Sequence, residues 1–189
     1  MRQRAFNESA TSQRLFFALW PDVSLQQQMF AAADSALRQF ESPRRARREN
    51  LHLTLAFLGS VNAEVGARLQ READTIRARG FDLTLDQLGV FARRGLVWLG
   101  PLQVPAPLLD VVAALRSAQS AVGLIPEKRE YRAHITLVRD LATCPPPGPV
   151  APIVWPVRQF VLVESKPGAR GSRYQVLHRW DLVARAHDR

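Results

Sequence analysis

Apolar residues along the chain follow two periods, one typical of strands and the other typical of helices. Short apolar runs and strict alternation predict strands, whereas spacings of three and four residues predict helices. Asp22 and Asn62 are suited to cap helices, and Gly80 and Gly123 to end them. Strands are predicted at about 15–20, 51–59, 81–91, 95–100, 133–138, 154–165 and 174–184, and helices at about 23–40, 63–79 and 105–122.

One short pattern occurs twice, each time in an apolar run that follows a predicted helix. The two copies are His52-Leu53-Thr54-Leu55 and His134-Ile135-Thr136-Leu137. Because side chains alternate faces on a strand, each copy presents its imidazole and its hydroxyl on one face and its leucine or isoleucine on the other. A single such match is more often a satisfied core histidine beside a strand threonine. Two matching copies in separate halves make coincidence much less probable.

The paired motifs suit acid–base chemistry on a phosphate ester. In-line displacement at phosphorus needs one group that accepts a proton from the nucleophile and another that protonates the leaving oxygen. Histidine titrates near neutral pH and serves either role. Threonine hydroxyls can donate to the non-bridging oxygens as negative charge develops there. From the residues alone the pair is symmetric, so the sequence leaves open which histidine is the acid.

Charge favours a polyanionic partner and points to the same two places. The chain carries 26 basic and 17 acidic side chains, a formal net charge of +9. A solvated basic surface is the alternative explanation for such a balance. Basic clusters nevertheless lie immediately before each motif, at 44–48 and at 128–132. If both motifs face one cleft, both clusters should border its mouth.

Several classes of protein are disfavoured. The single cysteine, Cys144, excludes an internal disulfide and a cysteine-based zinc site. No His, Asp or Glu cluster has the spacing of a metal site, and we expect neither a metal nor a cofactor. No apolar run has the length of a membrane span, and residues 1–13 lack the apolar core of a signal peptide. We therefore expect a cytoplasmic monomer that does not bind a membrane.

The motifs and their flanks resemble the 2H phosphoesterase superfamily, specifically the bacterial and archaeal RNA 2',3'-cyclic phosphodiesterases once called 2'-5' RNA ligases. The similarity spans about residues 14–183, with departures at Ala133, where the family usually has proline, and at 44–48, where it often has tryptophan and proline. The segments that carry the resemblance are 14–21, 49–59, 97–100, 134–139, 173–174 and 179–180.

The resemblance implies an α+β fold that is bilobal, with two pseudo-symmetric lobes whose antiparallel sheets face a central cleft and whose helices lie outside. A single domain is expected over residues 14–185, preceded by a flexible segment at 1–13 and followed by a tail at 186–189. Apolar Phe57 and Trp98 are expected in the core.

The resemblance also assigns roles within the site. It makes His52 the proton donor to the leaving 3'-oxygen and His134 the proton acceptor from water, with Thr54 and Thr136 holding the phosphoryl oxygens. The implied reaction is metal-free hydrolysis of RNA 2',3'-cyclic phosphate ends to 2'-phosphomonoesters, with a possible reverse 2'-5' ligation. Candidate substrate contacts are Tyr131, Arg129, Arg132 and Arg139.

Alternatives remain for the roles of single residues and for the function of the whole protein. Tyr131 either stacks on a base or packs at the cleft edge. Arg139 pairs either with the phosphate or with a carboxylate such as Asp140 or Asp181. At the level of function, the alternatives are a phosphodiesterase acting on 2'-5' oligonucleotides or cyclic nucleotide metabolites, and a non-catalytic module that binds RNA ends.

Overall fold

Strand β1 (Gln13–Leu19) shows how the sheet separates two apolar layers. The computed structural model describes residues 12–37, 44–168 and 171–184. In β1, Leu15, Phe17 and Leu19 face the main core, whereas Phe16 and Ala18 belong to a smaller cluster on the opposite face. We call this second group, with its neighbours Trp20 and Tyr174, the pocket-side cluster. A nearly continuous apolar run thus reflects a strand covered on both faces.

In the described part of the chain, three α-helices cover the main core: α1 (Val23–Leu37), α2 (Ala63–Asp74) and α3 (Ala106–Ala121). The predicted caps are confirmed, since the carboxylate of Asp22 accepts from the Leu25 amide and the side chain of Asn62 accepts from the Val65 amide, both at 2.8 Å. The predicted extension of α1 to residue 40 lies outside the described residues. None of the described helices is long and apolar enough to cross a membrane.

Helix α2 ends five residues before the predicted position. Its last residue is Asp74, and Arg79 forms an isolated β-bridge with Val183. There the Val183 amide donates to the Ala78 carbonyl at 2.8 Å, and the Gly80 amide donates to the Val183 carbonyl at 2.9 Å. Pairing with a distant segment replaces the last helical turn, which a local pattern cannot predict.

The remaining strands form one open sheet. They are β2 (Arg44–Arg45), β3 (Leu53–Val61), β4 (Phe81–Phe91), β5 (Leu96–Gly100), β6 (Ile135–Arg139), β7 (Gly148–Val157), β8 (Gln159–Lys166) and β9 (Arg173–Asp181). Their order is β7-β4-β5-β6-β3-β1-β8-β9, with β2 added on β6, and the pairs between them are antiparallel. The predicted α+β class is confirmed.

The two halves of the sheet meet between the motif strands. A single residue pair, Leu53 with Ile135, joins β3 to β6. Two lobes can therefore be distinguished, β3-β1-β8-β9 and β7-β4-β5-β6 with β2, but their sheets are continuous where the sequence predicts two separate sheets. Two helices each pack against the lobe that does not contain the strand before them in the chain. Helix α1 follows β1 and packs against β7, and α3 follows β5 and packs against β3.

Strand β7 begins at Gly148, six residues before the start of the predicted strand at 154–165. Strand β7 contains Pro149, Pro152 and Pro156, and it ends at Val157, so the predicted strand at 154–165 is in fact two strands. Within the described sheet β7 pairs with β4 alone. An edge strand needs hydrogen bonds on one side only, and it therefore tolerates prolines that a central strand would not.

Candidate active site

Each motif histidine lies one residue before its strand, where the sequence predicts a strand residue. Strand β3 begins at Leu53 and β6 at Ile135. The ring Nδ1 of His52 lies 2.6 Å from the Asn50 carbonyl oxygen, and that of His134 lies 2.7 Å from the Arg132 carbonyl oxygen. A carbonyl can only accept, so Nδ1 carries the hydrogen and Nε2 is left with its lone pair. Both imidazoles are thus held in the same tautomer.

The junction between β3 and β6 brings the two motifs together. Leu53 and Ile135 are both fully buried on the core side of the sheet. The residues on either side of them therefore turn to the opposite face, which is the pocket face. Because the pair is antiparallel, the register directs His52 toward Thr136 and Thr54 toward His134. All four side chains line one open pocket of about 540 Å³.

The pocket is strongly basic. Arg14, Arg45, Arg47 and Arg139 line it, and none of the described residues in its lining is acidic. Arg139 also donates to the Thr136 hydroxyl at 3.5 Å. Strand β2 explains how Arg45 and Arg47 reach the site, since Arg45 pairs with Val138 of β6. Part of the basic segment before the first motif therefore borders the second motif.

The environment makes both histidines hard to protonate. Burial lowers the pKa of His52 to about 4, aided by the charges of Arg139 and His134 and opposed by the hydrogen bond to Asn50. Burial also lowers the pKa of His134, with Arg139 and Arg94 acting in the same direction and the Arg132 carbonyl opposing them. At neutral pH both rings are therefore predominantly neutral in the free protein. A bound anion would favour their charged forms.

The aromatic neighbours of the two histidines differ. His52 is surrounded by Trp20, Phe16 and Tyr174, with ring centroids 5.4, 4.9 and 5.1 Å away. Trp20 is nearly parallel to the imidazole, at an interplanar angle of 7°. All three rings belong to the pocket-side cluster. The imidazole of the first motif is therefore held by side chains from β1, from the residue that follows it and from β9.

Among the described residues, two rings lie near His134: Phe91 at 5.2 Å and Trp98 at 6.3 Å. Trp98, expected in the core, is half-buried and lies flat over Gly89. A Cβ added at Gly89 would be 1.9 Å from the indole ring, so glycine leaves the space that the indole occupies. The second motif is thus flanked by residues from β4 and β5.

Tyr131 is a structural neighbour of the first motif and does not line the pocket. Its hydroxyl donates to the Thr54 carbonyl at 3.0 Å, and its ring packs against the main core. Burial raises the pKa of the Tyr131 hydroxyl well above its usual range, so the hydroxyl remains a donor. Of the two interpretations, the structure supports packing over base stacking.

Arg129 and Arg132 are exposed, and neither side chain lines the pocket. Arg129 forms an ion pair with Glu127 at 2.5 Å, and the guanidinium of Arg129 lowers the pKa of Glu127 to about 2. Arg132 contributes its backbone carbonyl, which holds His134. Within the cluster at 128–132, the Arg132 carbonyl thus orients the second motif, and none of the basic side chains lines the pocket. Among the four predicted substrate contacts, Arg139 alone lines the pocket.

Phe57 of β3 forms part of the pocket wall. Expected in the core, it lines the pocket and is 51% exposed, with the guanidinium of Arg14 5.1 Å from its ring centre. Simple alternation would put Thr54 and Phe57 on opposite faces. A register shift in the pairing of β1 with β3 aligns Phe57 with Phe16 and Thr54 with Ala18, both of the pocket-side cluster. The irregularity turns Phe57 outward.

Comparisons with known proteins agree with the geometry. The sequence profile of the 2'-5' RNA ligase superfamily matches residues 21–165. The RNA 2',3'-cyclic phosphodiesterase of Escherichia coli (strain K12) is 39% identical over 176 residues, which cover 90% of this chain and 97% of that protein. The RNA 2',3'-cyclic phosphodiesterase of Thermus thermophilus is 31% identical over 188 residues, or 89% and 90% of the two chains.

Solved structures extend the similarity to three dimensions. The apo form of E. coli LigT superposes with a TM-score of 0.81 at 36% identity, covering 91% of this chain and 98% of that chain. The same protein in complex with 3'-AMP gives a TM-score of 0.80. The MHV ns2 PDE domain, 14% identical with a TM-score of 0.57, shares the fold. The chain therefore belongs to the 2'-5' RNA ligase superfamily of 2H phosphoesterases.

Proposed function

We propose that this protein hydrolyses 2',3'-cyclic phosphate ends of RNA to 2'-phosphomonoesters by acid–base catalysis with His52 and His134. The observation that carries the proposal is the β3–β6 junction, which directs two imidazoles with free Nε2 atoms and two hydroxyls into one basic pocket. The family membership and the names of the relatives support the same activity.

In the proposed reaction, Nε2 of His134 accepts a proton from water as the water oxygen bonds to phosphorus. The bond between phosphorus and the 3'-oxygen breaks, and His52 gives its Nε2 proton to that oxygen. The 2'-oxygen keeps the phosphoryl group. Proton exchange with solvent then restores a charged His52 and a neutral His134, so that the cycle is balanced. The reverse reaction with a 5'-hydroxyl would form a 2'-5' linkage, but bulk water competes with that hydroxyl.

The hydroxyls of Thr54 and Thr136 donate to the non-bridging oxygens, where charge builds in the transition state. Arg139, which lies beside Thr136, adds a charged donor to the same group. The cyclic phosphate brings a negative charge into the basic pocket. Its binding offsets the repulsion between the charged His52 and Arg139, and it thereby favours the charged acid that the reaction needs.

Phe57 and Arg14 provide a place for the terminal nucleobase. Half of Phe57 is open to solvent at the pocket, and Arg14 covers its ring from the neighbouring strand. An exposed aromatic face beside a phosphate site is suited to base stacking, which tolerates different bases. Replacing Phe57 by Leu should raise KM for cyclic-ended oligonucleotides about tenfold or more. An unchanged KM would exclude stacking on this ring.

The proposed function is tested by incubating the protein with a cyclic-phosphate oligonucleotide in EDTA and identifying the phosphomonoester that appears. We expect a 2'-phosphomonoester. Binding of the oligonucleotide without turnover would indicate an RNA-end binding module. Turnover confined to 2'-5' linked oligonucleotides or cyclic mononucleotides would assign the same chemistry to a different substrate.

A further inference from the structure

Trp20 presents the flat face of its indole to His52. The two rings are nearly parallel, with 7° between their planes and 5.4 Å between their centroids. Phe16 touches the same imidazole at a tilt of 38°, and Tyr174 touches it almost edge-on at 80°. Trp20 follows β1 directly and is half-buried beside the pocket-side cluster. Of these three rings, Trp20 is therefore the one that stacks in parallel with the imidazole.

The other groups that act on the charge of His52 mostly oppose protonation. Arg139 from β6 and His134 just before it both disfavour a positive ring, and so does burial. Tyr174 from β9 contributes a ring edge. The Asn50 carbonyl favours the charged ring through its hydrogen bond. A cation over an indole face is attracted by the ring quadrupole, and the attraction grows when water is excluded.

His134 has a different aromatic environment. Its two ring neighbours meet it at 85° and 64°, so no described ring lies parallel to it. Arg94 adds a further positive charge near that histidine. The two motifs share the His-x-Thr pattern, the tautomer and a hydrogen bond to the carbonyl two residues earlier. Among the rings of the described residues, one lies parallel to the imidazole of the first motif and none to that of the second.

We propose that Trp20 is a positioning residue that holds the charged form of His52, and that it thereby makes His52 the proton donor of the pair. The inference rests on the proposed function, since it explains how two equivalent motifs take opposite roles. Trp20 acts through His52 and need not contact the substrate.

The direct test is a ¹H NMR titration of the histidine C2 protons in the presence of saturating inorganic phosphate. Trp20→Leu removes the aromatic face but keeps an apolar cover, and it should lower the pKa of His52 by about one pH unit. Trp20→Phe keeps a weaker face and should give a smaller decrease. His178, which is exposed, serves as an internal reference. Resonances are assigned with His→Gln variants.

A rise in the pKa of His52 in Trp20→Leu would show that the indole acts by excluding water, and an unchanged pKa would show that it only packs. Either result overturns the inference. In turnover, the alkaline limb of the kcat profile should move to lower pH in Trp20→Leu. Trp155→Phe, at a core tryptophan of β7 that does not line the pocket, is the matched control and should leave that limb in place.

The two proposals fail separately. If wild-type protein hydrolyses the cyclic-ended oligonucleotide while the Trp20 variants keep both the pKa of His52 and the alkaline limb, the role of Trp20 alone is rejected. If wild-type protein shows no turnover, the proposed function is rejected whatever the titration shows. Trp20→Phe preserves an aromatic ring in the cluster and remains informative if Trp20→Leu does not fold.

Discussion

His52 and His134 each donate from Nδ1 to the carbonyl two residues earlier. Each directly precedes a strand, and the first residue of that strand is buried. Their surroundings nevertheless differ, because β1 and β9 place three rings around His52 whereas β4 and β5 place two beside His134. Local sequence thus sets the tautomer of both rings. The neighbouring strands set how easily each ring takes a proton.

The largest expected effect comes from removing either histidine. His52→Ala and His134→Ala should each lower kcat by about 100-fold or more, because each removes one proton-transfer group. Since the two act in one step, the double variant should lose little more than the worse single variant. His178→Ala is the control, because this histidine is exposed and does not line the pocket. Activity that strictly required an added divalent metal would contradict the mechanism.

The threonines should show the next largest effect. Thr54→Val and Thr136→Val keep the shape of the side chain and remove a donor, at an expected cost of about 2–4 kcal/mol in kcat/KM. Thr136 should cost more, since it also lies beside Arg139. Valine suits a strand, so thermal unfolding should change little. A double variant that kept wild-type rates would show that both hydroxyls are structural.

The pH dependence should expose the shared environment of the pair. The pKa of each histidine is lowered in the free protein, so the fraction with one charged and one neutral ring is greatest on the acidic side of 6.5. The plot of kcat/KM against pH should therefore be bell-shaped with its maximum below pH 6.5. Above that maximum, kcat/KM should fall as pH rises. Because bound phosphate raises both pKa values, the kcat optimum should lie at higher pH. A kcat/KM maximum above pH 7 would contradict the lowered pKa values.

The smallest effect distinguishes the two basic segments. Arg47 lines the pocket, whereas the side chain of Arg132 does not. Arg47→Ser should raise KM for an oligonucleotide several-fold and reduce the salt slope by about 0.7, the value for one phosphate contact on a single strand. Arg132→Ser should leave both unchanged, and a cyclic mononucleotide should be insensitive to either variant. If the two replacements had equal effects, contact with the RNA phosphates would not depend on whether an arginine lines the pocket.

Much of the fold follows from patterns that act over a few residues. The alternation in β4 predicts both of its ends, and Asn62 predicts the start of α2 because its side chain caps the local backbone. The paired His-x-Thr motifs likewise place an imidazole and a hydroxyl on one face by strand geometry alone. These features depend on residues that are neighbours in sequence, so the sequence by itself determined them.

The tertiary structure decided which residues share the pocket. The Leu53–Ile135 pair joins the motifs, a register shift turns Phe57 outward, and the Tyr131 hydroxyl donates to the Thr54 carbonyl. Each of these outcomes depends on a partner far along the chain. Periodicity shows which side of an element is apolar, but the register of two strands and the rings that pack beside a histidine follow from the packing of the whole sheet.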